Sequence, residues 1–273
     1  MKSGRLFLLE FIAVIIALIF LAPFYFIIIN SVKGFGDVLT NAAGWPAEFR
    51  WDNYARVWEI MNFPKVFTNS LIITAASNLG LIVISSMAAY RMVRKPNRFN
   101  HVLLFLFVAA MVIPFQSIMI PLVKVASEIH IMNNLWGLVI AYFGFGVSLN
   151  VFLYHGFIKS IPKEIEESAV VDGCNPFGVF WRIVFPLLKS MTVTILLLNT
   201  LWIWNDFLLP MLFLNSPELR TIPLASFSFF GQYTKQWDLA LAGLVMGIAP
   251  ILLFLLVMQK HVVAGITAGA VKG

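Results

Sequence analysis

Charge is what this 273-residue chain has least of. Asp, Glu, Lys and Arg together make up 12% of it, while 60% is hydrophobic. Soluble domains carry roughly 25% charged residues. With a mean hydropathy of +0.88, the chain holds more apolar surface than a water-soluble core can hide. Soluble classes are excluded, and an all-α integral membrane protein is expected. The single cysteine, Cys174, rules out a disulfide within the chain and leaves no cysteine set for a metal. No G-x-x-x-x-G-K-[ST] phosphate loop occurs, and His101, His130, His155 and His261 lie far apart in the sequence. The chain therefore offers no soluble catalytic domain, metal site or cofactor site, and any energy for work has to come from elsewhere. Its net charge of +6 fits basic loops on a membrane protein and does not suggest nucleic acid.

Long apolar runs are abundant. A spanning helix needs about 20 mostly apolar residues, and Phe7–Ile29, Leu71–Tyr90, Val102–Ile120, Leu135–Tyr154, Leu187–Leu208 and Leu239–Met258 qualify. These give about six spans, helical because a helix satisfies its own backbone in lipid. The first is expected to be a retained span, since it exceeds a signal-peptide core and lacks a clear small-residue cleavage site. "GFG" at Gly144–Gly146 suggests close helix packing. Between the first two spans, Trp45, Trp51 and Trp58 suit a segment resting at the membrane–water interface. Basic residues are densest in one set of loops, most sharply in "RMVRKPNR". The positive-inside rule then places that cluster, both termini and the loop before Leu187 in the cytoplasm.

That loop contains "EIEESAVVDGCNPFGVFWRIVFPLL", Glu164–Leu188. Ser160 is expected to cap a first helix, whose early acids Glu164, Glu166 and Glu167 suit the positive end of the helix dipole. Ile161, Ile165 and Ala169 form an apolar stripe at four-residue spacing. Gly173 can end that helix in the left-handed conformation, and Asn175-Pro176 can cap and open a second. Phe177, Phe180 and Trp181 give the second helix an aromatic surface. An anionic leaflet would repel the acids, including Asp172, so the hairpin reads as a plug for a groove on another protein.

These residues resemble the EAA loop of ABC importer permeases, E-A-A, three residues, G, nine residues, I-x-L-P. Glu167, Ser168 and Ala169 match the opening, with serine for the first alanine. Gly173 falls at the required spacing, and Ile183 and Pro186 close the motif, with Phe185 for leucine. "MVIPFQSIMIPL", "WNDFLLP" and the tail "GITAGAVKG" extend the likeness to the MalG-type permeases of carbohydrate importers. The resemblance implies a type I ABC importer permease (MetI-like) fold with cytoplasmic EAA coupling helices. It divides the chain into an N-terminal helix and outer segment (1–68), a permease core (69–260) containing the EAA loop (160–186), and a cytoplasmic tail (261–273). Implied partners are a MalF-type second permease, an ABC ATPase dimer that binds ATP and Mg, an extracellular or periplasmic solute-binding protein, and a saccharide. The setting is a bacterial or archaeal cell membrane. Glu164, Glu167, Ala169, Asp172, Gly173, Ile183 and Pro186 become the ATPase-coupling set.

Polar side chains within spans usually face a bundle interior. Asn199 lies on the order of 18 Å from the cytoplasmic end of its span, near the bilayer middle. Asn78 reaches a similar depth, and Gln116 stands beyond Pro114, where the third span can kink. With Trp202, whose ring suits the apolar face of a sugar, these are candidate pathway residues; helix joining is the alternative. Asn205 and Asp206 lie nearer the outer surface as a gate or docking contact. Within the loop Asn215–Asp238, Phe229, Phe230 and Gly231 are candidates to meet the binding protein, a role the MalG-type resemblance implies, against a connector resting in the headgroups. An ABC permease for a non-carbohydrate solute remains open. An ion-coupled secondary transporter would need buried acids or paired charges near the midplane and often an internal repeat, neither of which stands out.

Overall fold

The computed structural model describes residues 2–230 and 236–270, the side chains from residue 6 to 259. Its regular elements are helices: α1 (Lys2–Ser31), α2 (Phe35–Thr40), α3 (Asp52–Ile60), α4 (Phe63–Arg94), α5 (Arg98–Ala110), α6 (Phe115–Glu128), α7 (Leu135–Ile158) and α8 (Glu164–Val171). There follow α9 (Pro176–Leu187, π-helical over Val179–Val184), α10 (Lys189–Asn205), α11 (Leu208–Phe213), α12 (Ile222–Ser226) and α13 (Trp237–Ala270).

Four described helices are long and apolar enough to cross a bilayer alone, and up to six spans result if two bent pairs each count as one. α1, α4, α7 and α13 contain the expected first, second, fourth and sixth spans. The expected third span, Val102–Ile120, is not one helix. α5 and α6 meet at 107° across Met111–Pro114. Pro114 has no N–H to donate and disfavours helical backbone at Ile113. At 13 residues, α5 is only about 20 Å long, short of a hydrocarbon core of about 30 Å. The fifth span is also shifted. It starts at Lys189 after a 73° bend and ends at Asn205, leaving Leu208 in the next helix.

The chain divides into two compact units. The first comprises Met1–Val66 and Ile222–Pro250, the second Phe67–Thr221 and Ile251–Gly273. In the first, α1 keeps its apolar residues on the outside, with only 6% of its most apolar window buried. Its end is tied down by polar groups. Lys33 is fully buried and its Nζ donates to the carbonyls of Asn41 and Gly44, while Asn53 Nδ2 donates to those of Ser31 and Lys33. Trp45, Trp51 and Trp58 remain exposed.

In the second unit, Ala89 and Met92 of α4, Val151, Tyr154 and Ile158 of α7, Val184 of α9, Leu188 at the bend and Ile195 of α10 belong to the core. Burying such side chains contributes about 1.5–3 kcal/mol each where the alternative is water. Where it is lipid, close packing has to supply the gain. Gly146 shows that packing, since a Cβ there would lie 2.6 Å from Leu81 of α4. Gly144 faces open space, so only half of the "GFG" pair serves the contact.

Candidate functional site

The acidic stretch folds as a helix-turn-helix within the second unit. α8 ends in a Schellman motif, with Gly173 at φ +87°, its N–H bonded to Val170 and the Cys174 N–H reaching the Ala169 carbonyl at 3.0 Å. Asn175 then caps α9, its Oδ1 accepting from the Gly178 N–H at 2.7 Å, and Pro176 opens the helix. Both expectations for this turn hold. The expected Ser160 cap does not. Its hydroxyl turns back to donate to the Phe157 carbonyl, and α8 starts at Glu164 without a side-chain cap.

The expected apolar stripe fails too. Ile161 lies before the helix and is buried there, whereas Ile165 is 41% exposed. The face of α8 turned inward carries Glu166 and Ala169. Glu166 is held by the end of α4. Arg94 Nε donates to its Oε1 at 2.7 Å, and Arg94 Nη2 lies 2.5 Å from the same oxygen. Arg94 Nη2 also donates to the Ile161 carbonyl at 3.0 Å, and the Tyr90 hydroxyl donates to Glu166 Oε2 at 2.8 Å. Both charged side chains are nearly buried, at 13% and 10% exposure.

Glu166, Arg94 and Tyr90 were absent from the predicted coupling set. The sequence holds a signal, one acid at the spacing of Ala169 and a basic cluster ending α4, but their pairing is long-range. Of the predicted set, Glu164, Glu167 and Asp172 are exposed, Ala169 is buried, Gly173 forms the turn, Ile183 is half-buried and Pro186 exposed. Val170, Val171 and Phe177 also project outward, at 58%, 87% and 68% exposure. A cavity of about 590 Å³ lies beside them, lined in part by Tyr90, Arg94, Glu167 and Val170. The outer face thus combines carboxylates and free apolar side chains over an internally locked base.

The pathway candidates separate into two kinds. Asn78 and Asn199 are buried, and Asn78 Nδ2 donates to Thr74 O and, at 3.1 Å, to Thr200 Oγ1. Asn199 Nδ2 has no partner among the described residues. Also buried without partners among the described residues are the Ser77 and Ser85 hydroxyls and both amide atoms of Asn150, none singled out from the sequence. Gln116 and Trp202 are exposed, Trp202 making an edge contact with Tyr142 at 5.4 Å. Asn205 is exposed. Asp206 is engaged internally, accepting from the Tyr142 hydroxyl at 3.0 Å and from the Leu208 N–H. In the first unit Phe229 is buried and so presents no face to a partner, whereas Phe230 packs edge-on to Trp237. Gly231 lies outside the described residues. Among the described residues no His/Cys/Asp/Glu group could hold a metal.

The fold is that of a transporter membrane subunit. It matches a chain from the crystal structure of a bacterial ABC transporter involved in import of the acidic polysaccharide alginate, with a TM-score of 0.82 over 95% of this chain and 98% of that one, at 22% identity. Residues 81–267 match the family described as binding-protein-dependent transport system inner membrane component, and the chain belongs to that family. It is 43% identical over 266 residues, 97% of each chain, to the probable starch degradation products transport system permease protein AmyC of Thermoanaerobacterium thermosulfurigenes. It is 35% identical to the melibiose/raffinose/stachyose import permease protein MelC of Bacillus subtilis, over 100% of this chain and 98% of the relative.

Proposed function

We propose that this chain is one of two permease subunits of an ATP-driven importer for an oligosaccharide. The observation that carries the coupling role is the helix-turn-helix, whose inner face is locked by Arg94 and Glu166 while Glu164, Glu167, Val170 and Val171 are presented outward. The relatives' named cargoes, starch degradation products and melibiose, raffinose and stachyose, support the carbohydrate class. The basic loops support an orientation with both termini and the hairpin in the cytoplasm.

In this reading a partner ATPase dimer binds ATP and Mg and closes around the Glu164–Pro186 hairpin. The hairpin moves with it, and the Arg94–Glu166 pair passes the displacement to α4. Two states alternate, their populations biased by nucleotide and by a loaded binding protein. Asn78, Asn199, Gln116 and Trp202 serve the solute pathway and Asn205 and Asp206 its outer end, while Phe230 is a contact for the binding protein. The tail 261–273 contacts the ATPase. This chain carries no catalytic group; hydrolysis belongs to the partner.

The test is reconstitution with the second permease, ATPase and binding protein, followed by uptake of maltotriose, raffinose and glutamine. Saccharide uptake driven by ATP is expected. Uptake of glutamine alone would replace the carbohydrate reading with that of a non-carbohydrate importer.

A further inference from the structure

The first unit encloses a polar cavity that the coupling hairpin does not use. It measures about 400 Å³, within the span of about 300–1,000 Å³ common for small-molecule sites. Its wall is formed by Gly34 and the first turn of α2, the stretch from Ala47 to Arg50, α3 and the first turn of α13. In a chain with 12% charged residues, five of the ten residues lining it are charged.

Some of these groups are already engaged. Asp37 Oδ2 accepts from the Ala47 N–H at 3.2 Å, Arg50 pairs with Glu48 at 3.2 Å, and Asn53 Nδ2 is bonded to two carbonyls. Two are not. Asp238, on α13, is only 8% exposed and lines the cavity, yet its side chain has no hydrogen-bond or ion-pair partner among the described residues. Arg56, on the exposed side of α3, lines the same cavity and is likewise unpaired there. Among the described residues no donor meets the Asp238 carboxylate, which leaves it open to one entering through the cavity.

The two free groups define what the ligand has to offer. A carboxylate only accepts hydrogen bonds and a guanidinium only donates them. A hydroxyl does both. Neighbouring hydroxyls on a sugar ring serve both groups at once and add no charge. Phe35, 43% exposed on the cavity wall, adds a flat apolar surface suited to the C–H face of such a ring.

The geometry points to a saccharide subsite in this cavity, in which Asp238 accepts from one ring hydroxyl and Arg56 donates to its neighbour. It rests on the carbohydrate-importer reading and uses none of the residues proposed for the pathway.

The experiment uses the assembled permease–ATPase complex in nanodiscs without the binding protein, with maltotriose as probe and saturation-transfer NMR as readout. Maltotriose should bind the wild type. Arg56→Met, on an exposed side chain, and Asp238→Asn, which keeps the shape, should each weaken binding about tenfold, the scale of one hydrogen bond to a charged group. The Arg56→Met complex should keep the wild-type melting temperature. Absence of wild-type binding, equal affinity in wild type and Arg56→Met, or binding of glutamine in place of maltotriose would overturn the subsite. Binding-protein-driven uptake by the same wild-type complex separates the two readings. Uptake of maltotriose or raffinose with any of those outcomes leaves the importer reading standing and removes this one. Uptake of neither saccharide removes both.

Discussion

Arg94 and Glu166, 72 positions apart, meet through two guanidinium nitrogens on one carboxylate oxygen while the same guanidinium holds the Ile161 carbonyl. Arginine suits this role because its planar fork serves two acceptors at once. Breaking a nearly buried pair by removing one partner costs about 3–5 kcal/mol, whereas replacing both with apolar residues is often neutral. Glu166→Leu or Arg94→Met alone should therefore lower the complex's melting temperature. The double variant Arg94→Met/Glu166→Leu should regain most of it. A double-mutant cycle on thermal unfolding measures this, and simple additivity of the two losses would show that the pair has no special role.

Glu167 sits one residue further on and faces outward. Glu167→Lys should leave the permease's stability within about 0.5 kcal/mol of the wild type, as exposed substitutions usually do. It should abolish recovery of the ATPase in affinity purification or uncouple hydrolysis from uptake. Full recovery of both would remove Glu167 from the coupling set.

Gly173 holds the turn at φ +87° with open space around the position a Cβ would take. The strain of a side chain there is therefore conformational, about 1–2 kcal/mol. Gly173→Ala should reduce coupled ATPase activity, and Gly173→Asn, which tolerates this conformation better, should reduce it less. Equal loss in both would point to the side chain's presence at the partner surface.

Asn150 is buried with neither amide atom bonded among the described residues. Removing an unsatisfied buried polar group is worth about 1–3 kcal/mol, so Asn150→Leu should raise the melting temperature. A fall would mean that water or a partner subunit satisfies the amide.

Tyr142 is the opposite case, a buried hydroxyl bonded to the Asp206 carboxylate. Tyr142→Phe should cost about 1.5–3 kcal/mol, the range for hydrogen bonds to charged groups. Thermal unfolding checks it, and an unchanged midpoint would show that Asp206 finds another donor.

The contrast between Glu166 and Glu167 also marks the limit of what the sequence discloses. Local signals were legible: apolar length for α1, α4, α7 and α13, Gly173 for the turn, Asn175-Pro176 for the second cap. Three acids within four residues look alike in sequence, and which one turns inward depends on Arg94, brought there only by tertiary packing. Pro114 announced a break, but the 107° angle across it is set by packing. Phe229 looked like a docking aromatic because its loop is aromatic-rich, and burial in its own unit is again a long-range outcome.

The π-helical stretch Val179–Val184 has a rotational consequence. A π turn holds a residue more than the α turn it replaces, and one residue of α-helix corresponds to about 100° of azimuth. Deleting a single residue from this stretch would let it relax to α geometry while keeping the two flanking helices connected. An insertion elsewhere in α9 would instead screw the rest of that helix around its axis. The segment thus acts as a phase adjuster within α9, ahead of the 73° bend into α10, and keeps Phe180 and Val184 on the buried side together.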